Sequence, residues 1–463
     1  MQPDSRIQNL HEQFRGRRLS PVELAKSHLK AIKEHDQETN AFCHVDEAVT
    51  IGMAEDAEAR YRNGAPLGVL DGIPLSIKDT LNVAGWPTRR GSRTSPIAPV
   101  AEDAISVRRL REAGAVFIGK TTTPEFAWKG ITDSPLTGIT RNPRDLARTA
   151  GGSSGGAAAA MALGLGALAI GSDAAGSVRI PAAFCGVVGF KPTFGRIPLD
   201  PYPAGFGQIP HIGPIAATVT DIAIGAAMMA GPDAADWTSL RQANLSDMAS
   251  CLDGPLDGIR VGVQAESAEP LAPEVAPAWQ EFLAALCVRF NVRTVQLPFR
   301  EARDVVGLIY RIGCADAVGR VTPDRRHELE AELLEFIEPV RLLTGEQVIA
   351  LYKRREELAA MTAMSLRRDV DVVISPTMGV PPPFIEDLNK PGASRDWLDW
   401  NLFTPLFNLV QGPAVSVPWQ SRHNLPIGIQ IAGAPGSDTA VLAVAREVER
   451  LATAHTHPGQ RRS

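Results

Sequence analysis

Two short segments rich in glycine and serine hold the residues of this chain that are best suited to covalent chemistry. The first reads G-G-S-S-G-G at 151–156, and the second reads G-S-D-A-A-G-S-V-R at 171–179. Glycine loses more conformational freedom on folding than any other residue, so this run needs a reason such as the close approach of a ligand. A flexible linker is the alternative, but an alanine-rich, helix-like segment follows the first run directly. We therefore predict a functional site here.

Ser177 is the predicted nucleophile. It follows the apolar, strand-like residues 168–170, and a hydroxyl beyond the end of such a strand would lie at the mouth of the sheet, where α/β proteins place their sites. Successive backbone N–H groups in this turn could converge on an anion, as the oxyanion of a tetrahedral intermediate requires. The predicted donors are the N–H groups of Ala174, Ala175, Gly176 and Ser177.

The elements that must position these turns alternate between strands and helices. Strands are predicted at 73–78, 116–118, 168–170, 370–374, 415–417 and 427–431, and helices at 104–113, 156–165 and 437–451. Because helices usually connect parallel strands, this alternation predicts an α/β fold. We expect a large, mixed but mainly parallel central sheet that is covered by helices on both faces.

The 463 residues are predicted to form a single domain. Its expected parts are an N-terminal helical layer (1–60), a catalytic core (61–240), a helical covering insertion (270–368), and C-terminal strands with a helix that complete the core (369–455). Within the helical layer, Ser20, Pro21 and Glu23 form a capping-box-like helix start.

The composition excludes several classes of function. The net charge of -5 is spread without long runs of one sign, which argues against binding to nucleic acid or anionic lipid and favours a small uncharged substrate. Five scattered cysteines and the lack of an H-E-x-x-H motif argue against disulfides and a metal site, so we expect no cofactor. No apolar segment is long enough to cross a membrane. We expect a cytoplasmic protein, with a homodimer as one option for its assembly.

The ordered motifs resemble those of the amidase signature family over nearly the whole chain. Beyond Lys78 and the two serine segments, the matching stretches are D-G-I-P at 71–74, T-P-E-F at 123–126, N-P at 142–143, P-A-A-F-C-G at 181–186, G-F-K-P-T at 189–193, S-P-T at 375–377, F-N at 407–408, G-P-A-V-S-V-P at 412–418 and L-P-I-G-I-Q at 425–430. The resemblance implies the amidase signature fold and the hydrolysis of amides.

The resemblance also implies roles for individual residues. Ser177 matches the nucleophile, Lys78 the base, and Ser153 the bridging serine that a cis peptide joins to Gly152. Ser154, Asp173 and Arg179 match residues that support the nucleophile turn, although local capping and loop hydrogen bonds would explain them nearly as well. One position departs from the family pattern: Ala175 replaces a glycine, and its β-carbon would narrow the oxyanion turn or the acyl pocket.

The proton chemistry of Lys78 follows from its expected burial. A lysine in water has a pKa of about 10.4, whereas burial among glycines and hydroxyls without a carboxylate lowers the pKa by up to several units. A neutral Lys78 would accept the proton of Ser153 as Ser153 accepts that of Ser177. Ser177 would then attack the amide carbonyl, and water would hydrolyse the acyl-enzyme. Without the two serine segments, a solvated lysine at a strand end would be the better interpretation.

Three other motifs give competing hypotheses. Residues 114–121 match the Walker A pattern, but the order of helix and strand around them is reversed. G-S-S-G-G at 152–156 also fits the nucleophile elbow of α/β-hydrolases, which would need a later Asp and His, with His211 as the nearest histidine. S-H-L-K at 27–30 matches the S-x-x-K pattern but lies in an amphipathic helix.

The sequence does not decide whether the chain works alone or as a subunit of a complex, and it does not identify the substrate. Some members of the family that the chain resembles are glutaminase subunits of a transamidation complex, and the sequence does not distinguish such a component from an independent amidase. We expect the substrate pocket to be lined by residues 123–136, by the helical insertion, and by the loop at 201–211 with Tyr202, Phe206 and His211. A neutral aryl or alkyl amide is the expected substrate.

Overall fold

The computed structural model describes residues 5–201, 203–241, 250–264, 270–388, 390, 396–420 and 425–456. The α-helices are α1 (Arg6–Arg15), α2 (Pro21–Thr39), α3 (Glu47–Arg62), α4 (Ile105–Glu112), α5 (Gly155–Ala162), α6 (Arg179–Cys185), α7 (Val219–Met229), α8 (Ala276–Arg289), α9 (Phe299–Gly319), α10 (Ala331–Ile337), α11 (Gly345–Asp369), α12 (Pro405–Leu409) and α13 (Asp438–Thr456). Short 3₁₀ helices lie at Glu125–Ala127, Ala204–Phe206, Cys251–Asp253, Pro323–Glu328, Glu338–Val340 and Ile385–Asp387.

The strands are β1 (Phe42–His44), β2 (Pro74–Lys78), β3 (Val116–Thr121), β4 (Asp133–Ser134), β5 (Gly138–Ile139), β6 (Arg141–Asn142), β7 (Asp145–Thr149), β8 (Leu168–Asp173), β9 (Val188–Lys191), β10 (His211–Ala216), β11 (Val261–Gln264), β12 (Val292–Val295), β13 (Val372–Pro376), β14 (Ala414–Trp419) and β15 (Ile427–Ala432). Eleven of them form one sheet in the order β1-β3-β2-β8-β10-β9-β14-β15-β13-β11-β12. The strands and helices predicted from the sequence are all present within a few residues of their expected bounds.

The sheet is mixed, as predicted, but the prediction that it is mainly parallel is wrong. Strands pair in parallel at β3-β2-β8 and at β13-β11-β12. Every pair from β8 through β10, β9, β14 and β15 to β13 is antiparallel. The link from β9 to β10 and the link from β14 to β15 each return the chain antiparallel to the strand that it has just left. The alternation of strands and helices in the sequence did not reveal these links.

Helices cover both faces of the sheet, as predicted. Along β8, Leu168 and Ile170 pack into one core with α1, α4, α7, α8 and α13. Ala169, between them, faces the other side and packs with α5 and α6, because successive side chains of a strand point to opposite faces. On that second face, α9 to α12 continue the cover in a third cluster. The predicted helical insertion also contains a strand, β12, which forms one edge of the sheet.

Helix α2 of the N-terminal layer begins where the sequence predicts. Ser20 Oγ accepts hydrogen bonds from the backbone N–H groups of Val22 and Glu23, and Glu23 accepts in return from the Ser20 N–H. This capping box satisfies backbone donors that have no partner within the helix. None of the helices in the described ranges is long and apolar enough to cross a membrane.

Candidate active site

Lys78 is the last residue of β2, and its side chain is fully buried. Its ammonium nitrogen Nζ lies 2.7 Å from Ser153 Oγ, 3.0 Å from Ser154 Oγ and 3.0 Å from Ser172 Oγ. Ser172 belongs to β8, which pairs in parallel with β2. The two strands therefore deliver the lysine and one of its hydroxyl partners to the same edge of the sheet.

Burial lowers the pKa of Lys78 from its usual value to about 7, although the charge of Asp173 acts in the opposite direction. Desolvation disfavours the charged form of a lysine when no carboxylate touches it. In the part of the chain that the structure describes, Lys78 contacts hydroxyl oxygens and forms no ion pair. An appreciable fraction of Lys78 is therefore neutral near pH 7.

Ser153 follows Gly152 through a cis peptide bond, which agrees with what the family resemblance implies. The neighbouring glycines pack too closely for side chains. A β-carbon on Gly152 would lie 2.7 Å from the backbone of Ile131, and one on Gly155 would overlap Thr132 Oγ1. Close packing explains these glycines better than a flexible linker does, since α5 begins directly at Gly155.

Ser154 contacts the lysine directly and also connects the two serine segments. Its hydroxyl donates to the Ser172 carbonyl oxygen at 3.2 Å, and its backbone N–H donates to the Ser177 carbonyl oxygen at 3.1 Å. Sequence reasoning assigned Ser154 only a supporting role and missed Ser172. The available signal was that Ser172 stands beside Asp173 at the end of β8, after four residues without a polar side chain.

Asp173 and Arg179 form a buried ion pair behind the Ser177 turn. Arg179 donates to both carboxylate oxygens of Asp173, at 2.9 Å each, and Asn408 Nδ2 donates to one of them. Burial alone would raise the pKa of Asp173, but Arg179 holds it well below its usual range. Asp173 also accepts from the N–H groups of Gly176 and Val178. These bonds connect the ion pair to the backbone of the Ser177 turn.

Residues from the C-terminal segment complete this support. Arg179 also donates to Gln430 Oε1 at 2.7 Å and to the Thr404 carbonyl oxygen at 2.9 Å. Asn401 Nδ2 and Thr404 Oγ1 both donate to the Ala175 carbonyl oxygen at 2.7 Å. Sequence analysis gave Gln430 and Asn408 no role beyond their place in motifs, although Gln430 is a polar residue within the otherwise apolar β15.

The four backbone N–H groups predicted to bind an oxyanion differ in whether they already donate a hydrogen bond within the protein. The Gly176 N–H donates to Asp173 Oδ1 at 2.7 Å and is therefore occupied. Within the described residues, the N–H groups of Ala174, Ala175 and Ser177 have no hydrogen-bond acceptor. The Ala175 methyl group packs into the apolar core and does not border the cavity. This position of the methyl group opposes the expectation that Ala175 narrows the acyl pocket.

Ser153 and Ser177 border one cavity of about 500 Å³. The three predicted regions all contribute to its wall: Phe126 and Ala127, then Phe206 and His211, and from α9 several residues of the insertion, including Tyr310. Tyr202 lies outside the described residues. The segment at 80–96 also contributes to the wall, and sequence analysis did not predict it.

Tyr310 is buried beside the predicted nucleophile. Burial raises the pKa of Tyr310 well above its usual value, whereas a hydrogen bond with the Ser177 side chain acts to lower it. Its hydroxyl donates to the carbonyl oxygen of Ala127, a residue with a left-handed backbone (φ 61°). No motif marked this tyrosine, because it lies in the insertion, far from both serine segments in the sequence.

The structure places the residues of the competing motifs elsewhere or in other roles. Lys120, in the Walker A match, is buried in an ion pair with Asp79 at 2.8 Å. Lys30, in the S-x-x-K match, is on the surface of α2. His211 donates from Nδ1 to the Ile209 carbonyl oxygen at 2.8 Å, since a carbonyl oxygen can only accept. Among the described residues no group of three or more His, Cys, Asp or Glu is arranged to hold a metal, and all five cysteines are free thiols.

Known proteins resemble this chain over nearly its whole length. A family model described as Amidase matches residues 23–442. An acylamidase from Rhodococcus erythropolis is 35% identical over 94% of this chain and 92% of its own length. A glutamyl-tRNA(Gln) amidotransferase subunit from Thermus thermophilus is also 35% identical, over 95% of each chain. The crystal structure of a bacterial aryl acylamidase of the amidase signature family superposes with a TM-score of 0.88 and 26% identity, over 98% of each chain. The chain belongs to the amidase signature family and is an amide-hydrolysing enzyme.

Proposed function

We propose that this protein is an amidase that cleaves the C–N bond of a small aryl or alkyl carboxamide through an acyl-enzyme on Ser177, with Ser153 and neutral Lys78 as the proton relay. The observation that carries the proposal is the set of three hydroxyl oxygens around Lys78 Nζ, at Ser153, Ser154 and Ser172. The pKa of about 7 at this buried lysine supports the neutral form that the relay needs.

The direction of the relay depends on which two hydroxyl oxygens accept the N–H groups of neutral Lys78. A neutral amine has two N–H donors and one lone pair. The Ser154 hydroxyl donates its proton to the Ser172 carbonyl oxygen, so it accepts from Lys78. If the second N–H is donated to Ser172 Oγ, the lone pair is directed at Ser153. Ser153 then donates its proton to Lys78 and is prepared to accept one from Ser177.

The proposed reaction has two halves. As the Ser177 oxygen bonds to the carbonyl carbon, its proton passes to Ser153 and the Ser153 proton passes to Lys78. The N–H groups of Ala174, Ala175 and Ser177 are the proposed donors to the oxyanion. When the C–N bond breaks, the relay reverses and protonates the leaving amine. Water then attacks the ester carbonyl with help from the same relay, and the acid departs from a regenerated Ser177.

The test of this proposal combines a panel of amides with a covalent label. The purified chain should hydrolyse members of a panel of aryl and alkyl amides, and a phosphonate reagent should add its mass to the peptide that contains Ser177. The Ser177→Ala variant should stay unlabelled, whereas Ser27→Ala should be labelled as the parent is. Label on a different serine, with Ser177 unmodified, would contradict the proposal.

A glutaminase component of a transamidation complex is the second candidate. It is favoured by the relative from Thermus thermophilus that is named as part of an amidotransferase, which is as similar to this chain as the acylamidase is. The same panel separates the two functions when it includes glutamine. Hydrolysis of simple amides by the isolated chain supports an independent amidase, whereas turnover of glutamine alone supports the glutaminase role.

A Ser-His-Asp mechanism through His211 is opposed by the contacts of this histidine. We expect His211→Ala to lose much less than the roughly 10²- to 10⁴-fold that removal of a general base costs, because its Nδ1–H is bonded to the Ile209 carbonyl oxygen rather than to a carboxylate. Steady-state kinetics of the variant on the best amide of the panel will measure this. Near-complete loss in a variant that remains folded would favour the histidine mechanism.

A further inference from the structure

Arg90 borders the cavity but has no role in the proposed reaction. It has a left-handed backbone (φ 51°), which is uncommon for a residue with a side chain. Its N–H donates to the Asp79 carbonyl oxygen at 3.1 Å, and its own carbonyl oxygen accepts from the Phe126 N–H at 2.8 Å. These two bonds fix the backbone position of Arg90. One partner, Asp79, directly follows Lys78, and the other, Phe126, belongs to the cavity wall.

The charge of Arg90 is not neutralised within the described residues, where its guanidinium forms neither an ion pair nor a hydrogen bond. The two other arginines on the cavity wall differ in this respect. Arg320 donates to Asp316 at 2.8 Å, and Arg325 donates to both carboxylate oxygens of Glu328. Arg90 is therefore the cavity arginine that has a positive charge to offer to a ligand.

The surroundings of Arg90 disfavour its charge. The Arg90 side chain is exposed to the solvent of the cavity. Desolvation by the protein on its other side lowers its pKa, and the charge of Arg320 lowers the pKa further. Asp79 is the acidic residue that acts in the opposite direction, but its carboxylate is already bonded to Lys120 at 2.8 Å. A charged group that is partly removed from water is stabilised when an opposite charge pairs with it. An anionic group of a ligand would supply that charge.

The carboxylates on the cavity wall do not serve this purpose. Asp316 is bonded to Arg320, and Asp173 is bonded to Arg179. Asp200 is not among the groups whose charges shift the pKa of Arg90, which are Asp79 and Arg320. The cavity therefore combines an uncompensated guanidinium with a nucleophile candidate in the same space.

We propose that Arg90 binds a carboxylate group of the amide substrate and thereby makes the enzyme selective for anionic amides. A guanidinium presents parallel N–H donors that match the two oxygens of a carboxylate, and a cavity of about 500 Å³ is large enough for a small ligand that extends from Ser177 to the wall. The inference rests on the proposed amide hydrolysis, and it replaces the expectation of a neutral substrate with that of an anionic one.

The test uses pairs of substrates that differ in one charge. In the first arm, para-nitroanilides of straight-chain dicarboxylic acids are compared with those of the matching monocarboxylic acids over a series of chain lengths. In the second arm the acyl group is constant and the aniline ring has either a carboxylate or a methyl group. We expect the anionic member to have a kcat/KM about tenfold to a hundredfold higher in one arm, which also tells whether the carboxylate belongs to the acyl or the amine part.

Variants assign that preference to Arg90. Arg90→Gln should abolish it by raising KM for the anionic substrate while the neutral substrate keeps its kinetics, and Arg90→Lys should restore part of it. Arg93→Gln is the matched control, because Arg93 is an exposed arginine of the same loop that does not border the cavity, and it should keep the full preference. Equal kcat/KM for both members in both arms, or an equal loss on both substrates in Arg90→Gln, would overturn the inference.

A binding measurement separates this inference from the proposed function. In the Ser177→Ala background, calorimetry should show that the anionic anilide binds about tenfold or more tightly than its neutral partner, and that Arg90→Gln removes the difference. Hydrolysis of neutral amides through Ser177 without any such preference would refute the inference alone. If the chain hydrolyses no amide and also binds both partners equally, the proposed function and the inference fail together.

Discussion

Replacing Ser177 with alanine should lower kcat for amide hydrolysis by about 10⁴-fold or more, with little change in KM. The hydroxyl is the atom that would bond to the substrate, and the residual oxyanion and binding contributions cannot replace it. The measurement is steady-state kinetics on the best amide of the panel. Folding of the variant is checked by its melting temperature, since the substitution removes one oxygen from a buried turn.

Two further variants control this experiment. Ser95 also borders the cavity, and Ser95→Ala should keep kcat within about tenfold of the parent, because no step of the mechanism uses it. Ser153→Ala should lose nearly as much activity as Ser177→Ala, and the double variant should be no worse than the single ones, because residues that act as one unit are strongly non-additive. Additive losses, or a Ser177→Ala enzyme that turns over amides at the parental rate, would rule out the relay.

The glycine and serine segments could be identified from the sequence because the glycines that close packing requires lie next to the serines that contact Lys78. Gly152 and Gly155 leave no space for a β-carbon, and the serines beside them are the hydroxyls that meet Lys78. Local sequence therefore contained most of the site. What it did not contain is the order of the strands, which brings β2 and β8 side by side so that Ser172 completes the set.

The features that the sequence did not reveal depend on contacts between distant segments. Tyr310 reaches Ser177 only because α9 of the insertion packs over the sheet. Arg90 becomes notable only when the structure shows that its neighbours leave it without a carboxylate. The antiparallel pairing in the middle of the sheet depends on the course of the segments that connect the strands. The residue pattern of a strand does not tell whether its neighbour is parallel or antiparallel. Pattern and composition predict elements, whereas these properties arise from tertiary packing.

The pH dependence of the reaction should report the protonation of Lys78. Because burial lowers its pKa to about 7 in the folded protein, Lys78 is protonated and unable to accept a proton below this pH, and it is neutral above it. We therefore expect kcat/KM to rise with pH through about 7 and then to level off. A profile that falls as pH increases through 7 would mean that a protonated group is required instead.

Lys78→Met should remove both the activity and this pH step. Methionine fills the buried space with an apolar side chain of similar length, but it has no lone pair that can take the Ser153 proton, so kcat should fall by about 10²- to 10⁴-fold. Lys30→Met, on the surface of α2, should behave as the parent. The residual rate of Lys78→Met should lack the step near pH 7, because hydroxide would then be the remaining base. Parental activity in Lys78→Met would contradict the relay, since no other base lies within hydrogen-bond distance of Ser153 in the described residues.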